Sequence, residues 1–259
     1  MILTGFGMTN PKTTKVRLDC LLVSRDLAKS RERAQALILA GAVLVGNQPA
    51  VKAGSLVSAD AEIRIRGEDN PYVSRGGLKL RGALDTFGLS VQGLVALDVG
   101  ASTGGFTDCL LQAGASKVYA VDVAYGQLAW KLRGDPRVVS IERTNIRTYE
   151  GADIADKIDI AAIDASFISL KLVIPPVLNL IKDGALLVAL VKPQFEVGKD
   201  EVGNRGVVRD PALHRRVLAE IEAFGRGLGL AILGSCDSPL KGPAGNREFF
   251  IAFRKQPQS

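Results

Sequence analysis

LDVGASTGGFT, Leu97 to Thr107, joins a buried strand to a helix through a glycine-rich turn. The apolar run Val95–Val99 has strand length, and Phe106–Ala113 has helical spacing. Outward from this unit the same alternation recurs. Strands are predicted over Lys117–Asp122, Val138–Ile141, Ile158–Asp164, Ala185–Lys192 and Phe249–Phe253, and helices over Leu170–Ile181 and Pro211–Leu228. Strands alternating with helices predict an α/β fold with a doubly wound, mostly parallel sheet of Rossmann type. In such sheets ligands bind beyond the carboxyl ends of the strands, so the Gly100–Gly105 turn is predicted to face one.

The residues of the turn narrow the ligand. A dinucleotide fingerprint starting at Gly100 needs glycine at position 102, where Ser102 stands; without it the backbone is poorly placed to approach a pyrophosphate. Asp98, at the strand end, suits a cationic amino-acid ligand better than an anionic phosphate. S-adenosylmethionine carries an ammonium, a sulfonium and no phosphate. Asp122 ends the next strand, where a carboxylate can accept both hydrogen bonds of a ribose diol, and Asn145 follows the third strand, within reach of an adenine. Asp98, Gly100, Ser102, Gly104, Phe106, Asp122 and Asn145 are therefore the predicted cofactor-binding set, with S-adenosyl-L-methionine as the cofactor.

The N-terminal part differs in character. The chain has 259 residues and a net charge of +6, and its 47% apolar and 23% charged residues describe a globular protein with room for two domains. Between Lys12 and Arg66 ten basic residues face five acidic ones, whereas the remainder is balanced at 23 against 22. Such asymmetry fits a polyanion as the partner of the small part, and charge alone fits a solvated surface equally. Leu18, Leu21 and Leu22 recur at helical spacing. Ser30 is placed to cap a second helix carrying Ala34, Leu37 and Ile38, and Gly41 to stop it. VLV, a Gly46-Asn47 turn, PAV and EIRIR read as a small sheet. Lys29, Arg31 and Arg33 flank the start of the second helix, where backbone N–H groups also favour phosphate. The predicted boundaries are a 15–66 α+β domain, a 67–77 linker and a 78–255 α/β domain.

Other chemistry is poorly supported. No apolar run reaches the ~18 residues of a membrane span. The first residues lack the basic start and apolar stretch of a signal peptide. Cys20, Cys109 and Cys236 are widely spaced and form no metal-ligand pattern, which reads as a reduced, cytosolic protein without a metal. Cys109 is expected to be a buried helix residue and His214 a surface residue. Glu196, Lys199 and Arg205 lie in a long glycine-bearing loop with the length of a lid.

Together these segments resemble a known family. Arg17-Leu18-Asp19, Ser30-Arg31 and Ala40-Gly41 look like the RNA-binding domain first described in ribosomal protein four of the small subunit, and the remainder resembles an FtsJ-type Rossmann methyltransferase. With SRGGLKL (Ser74–Leu80), VKPQFEVGK (Val191–Lys199), GVVRDP (Gly206–Pro211) and SPLKGPAGN (Ser238–Asn246), the combination resembles the TlyA, or hemolysin A, family. The resemblance implies ribose 2′-O-methylation of ribosomal RNA, at cytidines of 16S or 23S rRNA, with RNA or ribosomal subunits as the partner. It implies a Lys-Asp-Lys-Glu tetrad at Lys79, Asp164, Lys192 and Glu248, and Arg17, Lys29, Arg31 and Arg33 as RNA contacts.

The tetrad makes chemical sense, because a ribose hydroxyl is a poor nucleophile until its proton is removed or polarised. An ordinary lysine titrates near 10.4 and is a poor base at neutral pH, so its surroundings decide what it does. Two competing readings are a non-catalytic ribosome-associated RNA-binding protein and a cytolysin. The first would predict a lost tetrad residue. The second lacks a span, a signal or a long amphipathic segment.

Overall fold

The computed structural model describes residues 14–28, 30–39, 41–50, 52–65 and 70–257, and the chain divides into two compact units between Asp69 and Asn70. In the first unit the described elements are β1 (Lys15–Arg17), α1 (Leu18–Ser24), α2 (Arg31–Leu39), β2 (Val43–Val45), β3 (Gln48–Pro49), β4 (Leu56–Ser58) and β5 (Ile63–Ile65). β1 pairs antiparallel with β4, and β2 lies antiparallel between β3 and β5. Leu18, Leu22, Ala34, Leu37, Ile38 and Val43 form its core, the helical faces expected from their spacing. Ser30 Oγ accepts the Arg33 N–H at 3.2 Å, and Gly41 takes a left-handed φ of 67° just past α2. β1 and β4 were not expected; three residues are too few for alternation to register.

The second unit begins with α3 (Arg75–Thr86), then β6 (Val95–Val99), α4 (Gly105–Gln112), β7 (Lys117–Val121), α5 (Trp130–Arg133), β8 (Val138–Ile141), β9 (Ile158–Ile163), α6 (Leu170–Leu180), β10 (Ile181–Val191), α7 (Pro211–Gly227), β11 (Leu230–Asp237) and β12 (Phe249–Lys255). Its seven-stranded sheet has the order β11-β12-β10-β9-β6-β7-β8. β8, β7, β6, β9 and β10 are parallel, and β12 runs antiparallel between β10 and β11. The chain leaves β6 in one direction and returns to its other side at β9, which makes the β6/β9 boundary the topological switch point. Apolar layers cover both faces, as a parallel sheet requires.

Two elements depart from the sequence reading. The segment read as a linker ends in structure: Tyr72 is buried and Ser74 Oγ accepts the Gly76 N–H at the start of α3. Its glycines serve close packing. A Cβ on Gly77 would lie 2.2 Å from the Tyr72 ring, and one on Gly105 would lie 2.2 Å from Ser74 Oγ, so α3 and α4 meet backbone to backbone. β11 was unforeseen because its register shifts between Ile232 and Gly234, which breaks the alternation.

Candidate active site

The carboxyl ends of β6, β7 and β9 enclose a cavity of about 550 Å3, whose walls include Gly100, Ser102, Asp122, Asn145 and Asp164. A second cavity of about 220 Å3 shares Gly100, Ser102 and Asp164 with it and adds Ser74, Lys79 and Phe106. Ser74 and Asp164, 90 positions apart in sequence, thus face one cleft at the switch point.

Asp122 organises the larger cavity. Its Oδ2 accepts the Ser102 N–H and its Oδ1 the Ala124 N–H, each at 2.7 Å. Ser102 adopts a left-handed φ of 49°, the conformation a glycine would take in a dinucleotide loop, but its N–H is spent on Asp122 and is not offered to a phosphate. Asn145, on the cavity wall, accepts the Arg147 N–H through its Oδ1 at 3.1 Å.

Asp98 lies beneath the loop, not on either wall. It is fully buried, and its Oδ2 accepts both the Thr107 N–H at 2.8 Å and the Thr107 hydroxyl at 2.6 Å, which pins the start of α4. Its Oδ1 has no partner, and burial pushes the carboxyl up to about 7. Gly104 is also beneath the walls: it turns at φ 93°, and a Cβ there would strike Leu132 at 2.3 Å. Phe106 is 3% exposed and packs on Phe250, so it is chiefly core.

The four tetrad positions form two ion pairs. Lys79 Nζ lies 2.6 Å from Glu248 Oε2 with side chains 10% and 1% exposed, and Lys192 Nζ lies 2.6 Å from Asp164 Oδ1. Lys79 and Asp164 line the same small cavity, which links the pairs. Glu248 belongs to this cleft because β12 returns antiparallel beside β10, where Val191 pairs with Phe249. Lys192 also donates to Ser166 Oγ at 2.7 Å, a residue the sequence reading passed over although it stands two residues after Asp164.

Three other residues are placed by the structure. Cys109 is buried and its thiol is pushed up to about 12 by burial, so it is an inert core residue as expected. His214 is not on the surface: it is buried, its Nε2 donates to the Val208 carbonyl at 3.0 Å, and its ring packs on Phe249. The loop before α7 folds back over that face, burying Val207 and Val208, which periodicity within α7 could not reveal. Glu196 accepts from Ser169 Oγ and from the Leu170 N–H, capping α6.

In the first unit, Arg17 and Arg31 both bind the buried Asp19, at 2.8 and 3.1 Å, with their side chains about half exposed. Arg33 is partly exposed on the same helix as Arg31, and Lys29 lies outside the described residues.

Residues 72–255 match the FtsJ-like methyltransferase family. The chain belongs to that family. Residues 16–63 match the S4 domain. The methyltransferase is 47% identical over 243 residues to the Mycobacterium tuberculosis protein named 16S/23S rRNA (cytidine-2′-O)-methyltransferase TlyA, spanning 93% of this chain and 91% of that one. It is 39% identical to Hemolysin A of Brachyspira hyodysenteriae, spanning 92% and 99%. A solved structure from Streptococcus thermophilus that bears a hemolysin name superposes with a TM-score of 0.74 at 43% identity, covering 95% of this chain and 90% of that one. Among the described residues no helix of the methyltransferase is long and apolar enough to cross a membrane, and no cluster of His, Cys, Asp and Glu could hold a metal ion.

Proposed function

We propose that this methyltransferase transfers the methyl group of S-adenosylmethionine to a ribose 2′-hydroxyl of ribosomal RNA, at a cytidine of 16S or 23S rRNA, in the cytoplasm. The observation that carries the reading is the pair of buried lysine–carboxylate contacts sharing one cleft at the switch point. The relative named for cytidine 2′-O-methylation is 47% identical over nearly its whole length.

The larger cavity fits the cofactor by its donor set. The Asp122 oxygens, each engaged once by a backbone N–H, retain lone pairs for a ribose diol. Asn145 faces the adenine end, and the unpartnered Oδ1 of Asp98 leaves an acceptor under the loop for the cationic amino-acid end. When bound, S-adenosylmethionine supplies an electrophilic methyl on a sulfonium and departs as the neutral thioether. Lys192 orients the 2′-hydroxyl and accepts its proton, Asp164 holds that amine, and Lys79, held by Glu248, keeps a positive charge beside the reacting oxygen. The S4 domain contributes phosphate contacts through Arg17, Lys29, Arg31 and Arg33, with rRNA or a ribosomal subunit as the partner.

Mapping ribose methylation in rRNA from cells with and without this protein tests the reading directly. Lys192→Ala is expected to lose methyl transfer at least a thousandfold while cofactor affinity stays within a few-fold, because its partner is the substrate hydroxyl. Near-normal turnover by that variant would overturn the assigned chemistry.

A further inference from the structure

The contacts of Lys192 leave one polar partner unexplained. A lysine nitrogen has three positions besides its bond to Cε. One is taken by the hydrogen bond to Ser166 Oγ at 2.7 Å, while Asp164 Oδ1 lies 2.6 Å away as an ion pair whose oxygen accepts no hydrogen bond. Lys192 is nearly buried, whereas Ser166 is exposed along the wall of the larger cavity beside Asp164. The hydrogen bond to Ser166 is thus the directed contact that sets where the other positions of the nitrogen point.

We infer that Ser166 is a positioning residue for methyl transfer: its hydrogen bond, beside the ion pair with Asp164, turns Lys192 so that a free position of the nitrogen addresses the ribose hydroxyl. In the amine form that position carries the lone pair, and the hydroxyl proton passes to it, giving the ammonium. Without that hydrogen bond the amine can turn about its Cε–Nζ bond and spread the lone pair over several directions, and proton transfer is sensitive to such misplacement. This inference rests on the function proposed above.

The backbone around Ser166 supports a built arrangement. Phe167, the next residue, has a left-handed φ of 63°, a conformation that costs a bulky residue energy and persists where the surroundings enforce it. β9 ends at Ile163, three residues before Ser166, and the turn brings the Ser166 hydroxyl to Lys192 at the end of β10. The Phe167 ring then meets the Phe195 ring at 5.1 Å, and Phe195 lies three residues past Lys192. The turn bearing Asp164 and Ser166 is thereby fastened to the turn bearing Lys192.

The test compares Ser166→Ala and Ser166→Thr with wild type, measuring kcat and KM on the rRNA substrate, cofactor affinity by calorimetry and thermal melting. Ser166→Ala is expected to lower kcat about tenfold or more, the scale of a lost hydrogen bond to a charged group, with KM, cofactor Kd and Tm nearly unchanged. Ser166→Thr keeps the hydroxyl and is expected to recover most of that loss. An unchanged kcat in Ser166→Ala would overturn the inference, as would a threonine variant as slow as alanine, or a fall in rate matched by a fall in cofactor affinity. Wild-type turnover separates the two levels: wild type that methylates no rRNA ribose overturns the proposed function, whereas an active wild type with an equally active Ser166→Ala overturns only the role of Ser166.

Discussion

Asp19 in the N-terminal unit and Asp98 in the methyltransferase unit are both sealed from solvent, yet their carboxyls are driven in opposite directions. Asp19 is covered by its own partners. Arg17 approaches it through two nitrogens at 3.0 and 2.8 Å, and Arg31, Gln35 and the Cys20 N–H add further donors. The Arg17 hydrogen bonds, first among these, hold it well below the usual carboxylate range. Asp98 is buried under the cofactor loop with only Thr107 as donor and no cation, and desolvation wins. Burial alone therefore does not set the behaviour of a carboxylate; the charge of its partners does. The same contrast separates the units. The first spends its acid on fixing arginines at the surface, and the second keeps an under-partnered acid below a ligand cavity.

The largest expected effect breaks or confirms this contrast by pH. Asp98 titrates near 7 in the fold against an ordinary 3.8, so the stability it contributes is full below about pH 4 and is lost as pH rises through 7. The loss is of the order of 4 kcal/mol at most. Asp19 runs the other way: its contribution is present above its ordinary value and is lost only in stronger acid. Melting curves of wild type and Asp98→Asn at pH 5 and pH 8 should show the wild type losing ground at pH 8 and the variant losing much less. Equal pH slopes would mean that Asp98 is not buried as an acid.

Next in size is Asp122→Ala. It removes the acceptor of the Ser102 and Ala124 N–H groups together with the proposed diol contact. We expect S-adenosylmethionine affinity, by calorimetry, to fall about tenfold or more. Unchanged affinity would take Asp122 out of the binding site.

The smallest effect concerns the first unit. Replacing Arg31 and Arg33 with alanine should weaken RNA binding and flatten its salt dependence by up to about one unit of slope per lost phosphate contact, with cofactor affinity untouched. Because Arg31 already shares Asp19 with Arg17, its loss should relax that cluster as well. A salt slope identical to wild type would move the RNA surface away from α2.

Much of this was legible in the residue order because the signals are local. The strand at Val95–Val99, the turn at Gly100–Gly105, the acid at Asp122 and the cap at Ser30 each depend on neighbours within a few positions. Where a local rule had another cause the reading slipped. Glycines 76 and 77, read as linker punctuation, are the flat surfaces on which α3 and α4 cross, and the interruption at Gly234 is a bulge inside β11. His214 was misplaced because the loop that buries it lies upstream of α7 and its ring packs on Phe249 of β12.

The sequence settled an alternating parallel sheet, a basic N-terminal module and the strand ends that carry Asp98, Asp122, Asp164 and Lys192, since periodicity and turn chemistry are properties of short segments. Pairing was decided only in three dimensions. Lys79 meets Glu248 across 169 positions of chain, Lys192 meets Ser166 across 26, and Asp19 gathers Arg17, Arg31 and Gln35. Such contacts depend on which strand returns beside which, and on a desolvated ion being stable only where folding brings a counter-charge to it.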